Sequence, residues 1–178
     1  MLATVASLVA TAVERLHYVE VVEHPPHRVE GTAIFLIGDP DAVPHALLHN
    51  LAHNKIVHER VVFLTVVIRD VPRVPFAERV SLESLGNNCH RLKLHYGFKD
   101  MPDVPQTLAL CAIDGAGFNM LETSFFVSRE TVIPTPGAGM ALWRDRLFAA
   151  MTRNAGSIVE YFNIPANRVI ELGTQVEI

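Results

Sequence analysis

Histidine is the residue type that first invites chemistry: nine occur in 178 residues, and His45, His49 and His53 recur at every fourth position, with His58 close behind. Imidazoles at i and i+4 share one face of a helix and can chelate a transition metal, but a closed or catalytic site needs a third protein ligand, often a carboxylate. Glu59 is the only nearby acid C-terminal to the stripe, and no His-Glu-x-x-His occurs. On a helical wheel Val43, Leu47, Leu48 and Leu51 fall on one arc and the three histidines nearly opposite, so the stripe faces away from that helix's own core. A polar outer face or a partner-contacting surface therefore ranks ahead of a metal site. A stripe of imidazoles could also sense pH, because neighbouring rings repel once protonated near neutrality.

The other reactive residue types give less. Cys89 stands next to His90 with no nucleophile elbow around it and reads as a strand-end thiol. Cys111 lies in an apolar pattern with Leu108, Leu110 and Ile113 and reads as core. Neither G-x-G-x-x-G nor a Walker A sequence is present. Gly137-Ala138-Gly139 precedes a helical pattern, so Gly137, Gly139 and Arg144 form a candidate anion site. The plainer reading, a turn and cap, is favoured because the fuller phosphate motif is missing. Trp143 repeats with Met140, Leu147 and Met151 at helical spacing and belongs in a core. No catalytic set emerges.

The elements that must position these residues alternate between strand and helix. Ala33 to Ile37 and Val61 to Ile68 are continuous apolar runs, as expected for strands buried on both faces. A helix from Val43 to Asn54 between them completes a strand–helix–strand unit, which makes a parallel pair. Val80 and Leu82, then Leu92, Leu94, Tyr96 and Phe98, alternate with polar residues around Gly86-Asn87-Asn88, which predicts a β-hairpin. Further expectations are a helix from Val104 to Ile113, a strand from Ser124 to Ser128, a helix from Met140 to Asn154, and a last strand from Val169 to Ile178. In that last strand Ile170, Leu172, Val176 and Ile178 should share a face. The sum is a single layered α/β domain with a mixed, largely parallel sheet and a β-hairpin, flanked by helices.

Composition bounds the rest. Fifteen Lys and Arg against nineteen Asp and Glu give a net charge of −4, which argues against a nucleic-acid partner. Apolar residues make up 49%, yet no stretch reaches the roughly 20 that span a bilayer. Two cysteines without a CxxC pattern read as reduced thiols in a cytosolic context. Residues 1–22 lack Gly and Pro and suit a leading helix, whose Leu2, Val5, Val9 and Val13 are candidate dimer contacts. Residues 23–28 contain Pro25-Pro26 and read as a linker, and residues 29–178 as the α/β domain.

Several segments in register resemble one family. Arg28-Val29-Glu30-Gly31-Thr32-Ala33-Ile34-Phe35-Leu36, Leu47-Leu48-His49-Asn50-Leu51-Ala52-His53-Asn54-Lys55, Gly139-Met140-Ala141-Leu142-Trp143-Arg144 and the stretch from Pro165 to Ile178 look like the cytosolic C-terminal region of the Kup (HAK/KT/Kup) potassium uptake transporters. The resemblance runs from about His24 to the C-terminus. It implies a membrane-embedded part of the same transporter, N-terminal to this chain, that handles K⁺ and in bacteria commonly couples it to protons. On that implication the chain sits on the cytoplasmic face of the inner membrane, forms a homodimer, has no catalytic activity or required cofactor, and carries no K⁺ site. Some relatives are associated with cyclic di-AMP, so a regulatory nucleotide is the second expectation, placed near Gly38 and Asp39 where α/β sheets bind ligands. A small metalloenzyme using His49, His53 and His58 is the third.

Overall fold

Two apolar runs set the centre of the fold. The computed structural model describes residues 27–39, 44–113, 115–133, 144 and 156–177. Strands β1 (His27–Leu36) and β2 (Ile56–Arg69) pair in parallel, with Ala33 to Leu36 opposite Val61 to Leu64. Ala33, Ile34, Phe35 and Val61 to Leu64 are all buried, so both faces of both strands are covered. That is why neither run alternates with polar residues. β1 opens at His27, so the last two residues of the 23–28 stretch belong to the strand.

Around this pair lie β3 (Val80–Gly86), β4 (Cys89–Gly97), β7 (Thr123–Ile133) and β8 (Val169–Glu177), in the order β3-β4-β2-β1-β7-β8. All contacts are parallel except β3 with β4, the expected hairpin. Its turn is made by Asn87 and Asn88 at φ 51° and 61°, values that asparagine tolerates better than most residues. Two short strands, β5 (Ala112–Ile113) and β6 (Ala116–Gly117), form a separate small hairpin.

Helix α1 (His45–His49) runs on as a π-helical turn, Asn50–Asn54, and covers one sheet face with Ala46, Leu47 and Leu51 against Ala33, Phe35, Phe63 and Phe126. Phe35 stacks on Phe126 at 4.7 Å between ring centres, a pairing that adds about 0.5–1.5 kcal/mol beyond area burial. The buried arc of α1 is turned from the expected one: Ala46 and Asn50 face the sheet and Leu48 is only half-buried. Alanine at the contact lets the helix approach closely. On the other face α2 (Val104–Ala109) and α3 (Ile158–Tyr161) pack Val104, Leu108 and Val159 against Ile34, Val62, Leu64, Leu92 and Phe125.

Two expectations need correction. The helix expected from Val104 to Ile113 ends at Ala109, and the chain turns into β5 so that Ile113 reaches the core from a strand. Leu110 is consequently exposed, and Cys111 is half-buried, its thiol donating to the Thr107 carbonyl at 3.0 Å. β7 runs to Ile133, five residues beyond the expected end at Ser128. The expected helices at 1–22 and Met140–Asn154 and the packing of Trp143 lie outside the described residues, apart from Arg144.

Candidate functional site

The strands do not end level. β1 stops at Leu36, opposite Leu64 and Val127, whereas β2 continues to Arg69 beside β4 and β7 continues to Ile133 beside β8. The Ile37 amide, donating to the Leu64 carbonyl at 2.9 Å, extends the central lane by one more hydrogen bond. The result is a notch in the C-terminal edge of the sheet. It also marks where the winding reverses: β1 leads to β2 on one side, and β7 leads to β8 on the other. Open α/β sheets bind ligands at this place, because connections diverge there and leave a crevice.

A cavity of about 560 Å³ fills the notch. Leu36, Leu64, Val66, Val127, Ile158 and Phe162 give it apolar walls. Gly38, Asp39, His45 and Ser128 supply its polar positions. Such a site suits a flat apolar ring inside and hydrogen-bonding groups at the rim. The expected pair Gly38 and Asp39 thus lines a real cavity, joined by one histidine of the stripe. Sequence reasoning missed the walls, since they come from three strands and α3 and lie far apart along the chain.

The remaining histidines do not converge on it. His49 and His53 stack on each other at 5.7 Å on the outer side of α1. His58 sits on β2 with its ring edge-on to Phe126 at 5.8 Å. Burial holds the His58 imidazole below its ordinary pKa, and its Nδ1 is buried without a hydrogen-bond partner. Among the described residues, no group of three or more His, Cys, Asp or Glu side chains is placed to hold a metal ion. Arg144 is exposed, whereas its proposed companions Gly137 and Gly139 lie outside the described residues, as do Leu2, Val5, Val9 and Val13.

The thiols are poor nucleophiles. Cys89 begins β4 and is buried, and burial pushes its pKa up against a smaller opposing effect of Arg28. Burial pushes the Cys111 thiol up as well. Burial of this kind is the environment of structural thiols, whereas reactive ones lie in exposed, electropositive surroundings.

His95 is a second residue that the sequence did not single out. It lies on the β4 face that alternates with Leu92, Leu94 and Tyr96, and its pKa is lowered by burial and by the charges of Arg69 and Lys93. Period-two alternation with those leucines was the available signal. Thr65, one strand away opposite Lys93, is 2% exposed with its hydroxyl oxygen unpartnered.

Comparison with known proteins gives these features a family. Residues 30–178 match the model described as "K+ potassium transporter C-terminal domain". A relative from Nitrosospira multiformis, named "Probable potassium transport system protein Kup", is 57% identical over 157 residues, covering 88% of this chain and 25% of its own length. Its namesake from Pseudomonas savastanoi pv. phaseolicola is 58% identical over 153 residues, covering 86% and 24%. "Probable potassium transport system protein Kup 2" from Cupriavidus necator is 57% identical over 157 residues, covering 86% and 25%. The chain thus spans about a quarter of the length of the curated relatives it matches. No solved structure matches it. Among the described residues no helix is long and apolar enough to cross a membrane. With a family model matched across 30–178 and relatives identical at more than half of the aligned positions, the chain belongs to the family of potassium transporter C-terminal domains.

Proposed function

We propose that this chain is the non-catalytic regulatory domain of a potassium uptake transporter, held at the cytoplasmic face of the membrane and acting as a homodimer. The membrane-embedded part of the same transporter handles K⁺, by proton symport, and this domain adjusts the rate. The observation that carries the reading is the family match over residues 30–178, to a C-terminal domain of potassium transporters. The test is genetic. In a strain deficient in K⁺ uptake, the full-length parent should restore growth at low K⁺ with normal control, and a parent lacking this region should lose that control. Equal complementation by both would sink the regulatory role.

The notch supports a second reading, in which the control signal is a nucleotide such as cyclic di-AMP or an adenine nucleotide. Its 560 Å³ and apolar walls accommodate a purine, and Asp39 at the rim suits ribose hydroxyls. Calorimetry with cyclic di-AMP, ATP and AMP should show saturable heat for one of them, and Val127→Trp, which fills the cavity, should abolish it. Flat titrations at millimolar ligand remove this reading and leave the first intact.

A further inference from the structure

β4 divides its side chains by chemistry between the two faces of the sheet. Leu92, Leu94 and Tyr96 enter the core beside α2, so alternation puts Arg91, Lys93 and His95 on the opposite face. The register sets Phe63 of β2 against Arg91, Thr65 against Lys93 and Val67 against His95, and Arg69 follows on the same face. On the other side of β4, Glu83 of β3 stands against Arg91 and Ser81 against Lys93.

This patch holds polar atoms without partners. Thr65 Oγ1, Arg91 Nε and His95 Nδ1 are all buried and make no hydrogen bond, and Thr65 as a whole is 2% exposed. Buried polar atoms are paired in the great majority of cases, so three on one face of two adjacent strands point to a missing partner. A hydroxyl and a guanidinium Nε–H donate, a protonated imidazole donates from both nitrogens, and Lys93 adds an ammonium. What the patch lacks is an acceptor. Charge agrees with this. Glu83 is taken by Arg91 at 3.0 Å, Glu78 lies 3.9 Å from Arg69, and Asp100 is taken by Arg79 at 3.2 Å. Asp70 follows Arg69 beyond the end of β2. Lys93 forms no ion pair among the described residues. The charges that act on His95 are those of Arg69 and Lys93, with no carboxylate among them, so the acids do not offset the cations at this point of the surface.

We propose that this face of β2 and β4 binds the phosphate group of an anionic ligand, held by the Lys93 ammonium, the His95 ring and the Thr65 hydroxyl, with Arg69 and Arg91 at its flanks. The hydroxyl becomes accessible when Lys93, on its flexible four-carbon stem, swings from beside Thr65 onto the anion. A phosphate brings both the acceptor oxygens and the negative charge, and bonds between ionised partners are roughly twice as strong as neutral ones. Neither transport control nor ligand binding in the notch enters the argument, so each can fail while this site stands.

Sulfate, a dianion throughout the neutral range, is the first probe. Followed through the amide resonances of β2 and β4 in the 178-residue chain at constant ionic strength, it should bind saturably where chloride does not. Binding should tighten as pH falls from about 8 to about 6, because a bound anion favours the protonated imidazole, and His95→Gln should remove that dependence. Lys93→Gln and, separately, Thr65→Val should each weaken binding about tenfold, the loss expected for one hydrogen bond to a charged group, without loss of the fold. Glycerol 3-phosphate and phosphatidylglycerol vesicles present the phosphate in its two forms, free and on a lipid, and displacement of sulfate by either supports the proposal and identifies the source. Shifts that follow ionic strength alone overturn it, as do Lys93→Gln and Thr65→Val chains that bind sulfate like wild type, or displacement by neither phosphate.

Discussion

Asn50 shows what one polar side chain can hold in place. It opens the π-helical turn, is 3% exposed, donates from Nδ2 to the Ile56 carbonyl at 3.0 Å and accepts from Asn54 at 2.8 Å. Lys55, left-handed at φ 55°, then reverses the chain into β2. Asn50 therefore ties the end of the α1 segment to the start of a central strand. Replacing it by alanine leaves the Ile56 carbonyl without that donor, and Asn50→Ala should cost about 1–3 kcal/mol, read as a lower urea midpoint. A midpoint equal to wild type would show the bond to be replaceable by water. No sequence signal marked this residue, because an asparagine between His49 and Leu51 looks like an interruption of the apolar arc. His45, His49 and His53 drew notice by their spacing, yet only His45 reaches the cavity.

At the scale of elements, legibility followed how unambiguous each pattern was. A β-branched run such as Val61 to Ile68 favours a buried strand over a helix, and Gly86-Asn87-Asn88 between alternating residues favours a tight turn. The stretch Leu108 to Ile113 was ambiguous, since apolar residues at 108, 110, 111 and 113 fit a helix and a strand alike; the helix stops and only Leu108 and Ile113 are buried. β7 was underestimated for the opposite reason. Arg129, Glu130 and Thr131 carry no apolar signal, yet they continue the ladder opposite Gly173, Thr174 and Gln175. The notch depends on that extra length, together with the early end of β1. A site made by differences in strand length cannot be read from any one segment, although Gly38 and Asp39, named because the ends of parallel strands are a general place to look, do line the cavity.

For the molecule as a whole, titratable groups set a direction for stability with pH. His58 and His95 both have pKa values held below the ordinary 6.5, chiefly by burial and, at His95, also by Arg69 and Lys93. A base with a depressed folded pKa favours the folded state when neutral. Its contribution is complete above 6.5 and is lost as pH falls from there towards the folded value, because the unfolded chain takes up the proton first. Asp100 acts lower: hydrogen bonds from the Val74 and Gly97 amides, opposed by burial and aided by Arg79, hold its carboxyl below the usual 3.8, so its contribution disappears only as pH falls through that range. Two losses should therefore appear in sequence on acidification. Melting temperature should be steady from pH 8 to 7, decline through the imidazole range, and fall again below about 4. His58→Gln/His95→Gln should flatten the first decline and leave the second, whereas Asp100→Asn should remove the second and leave the first. If the double glutamine variant follows the wild-type curve through the imidazole range, His58 and His95 are not the source of the acid sensitivity.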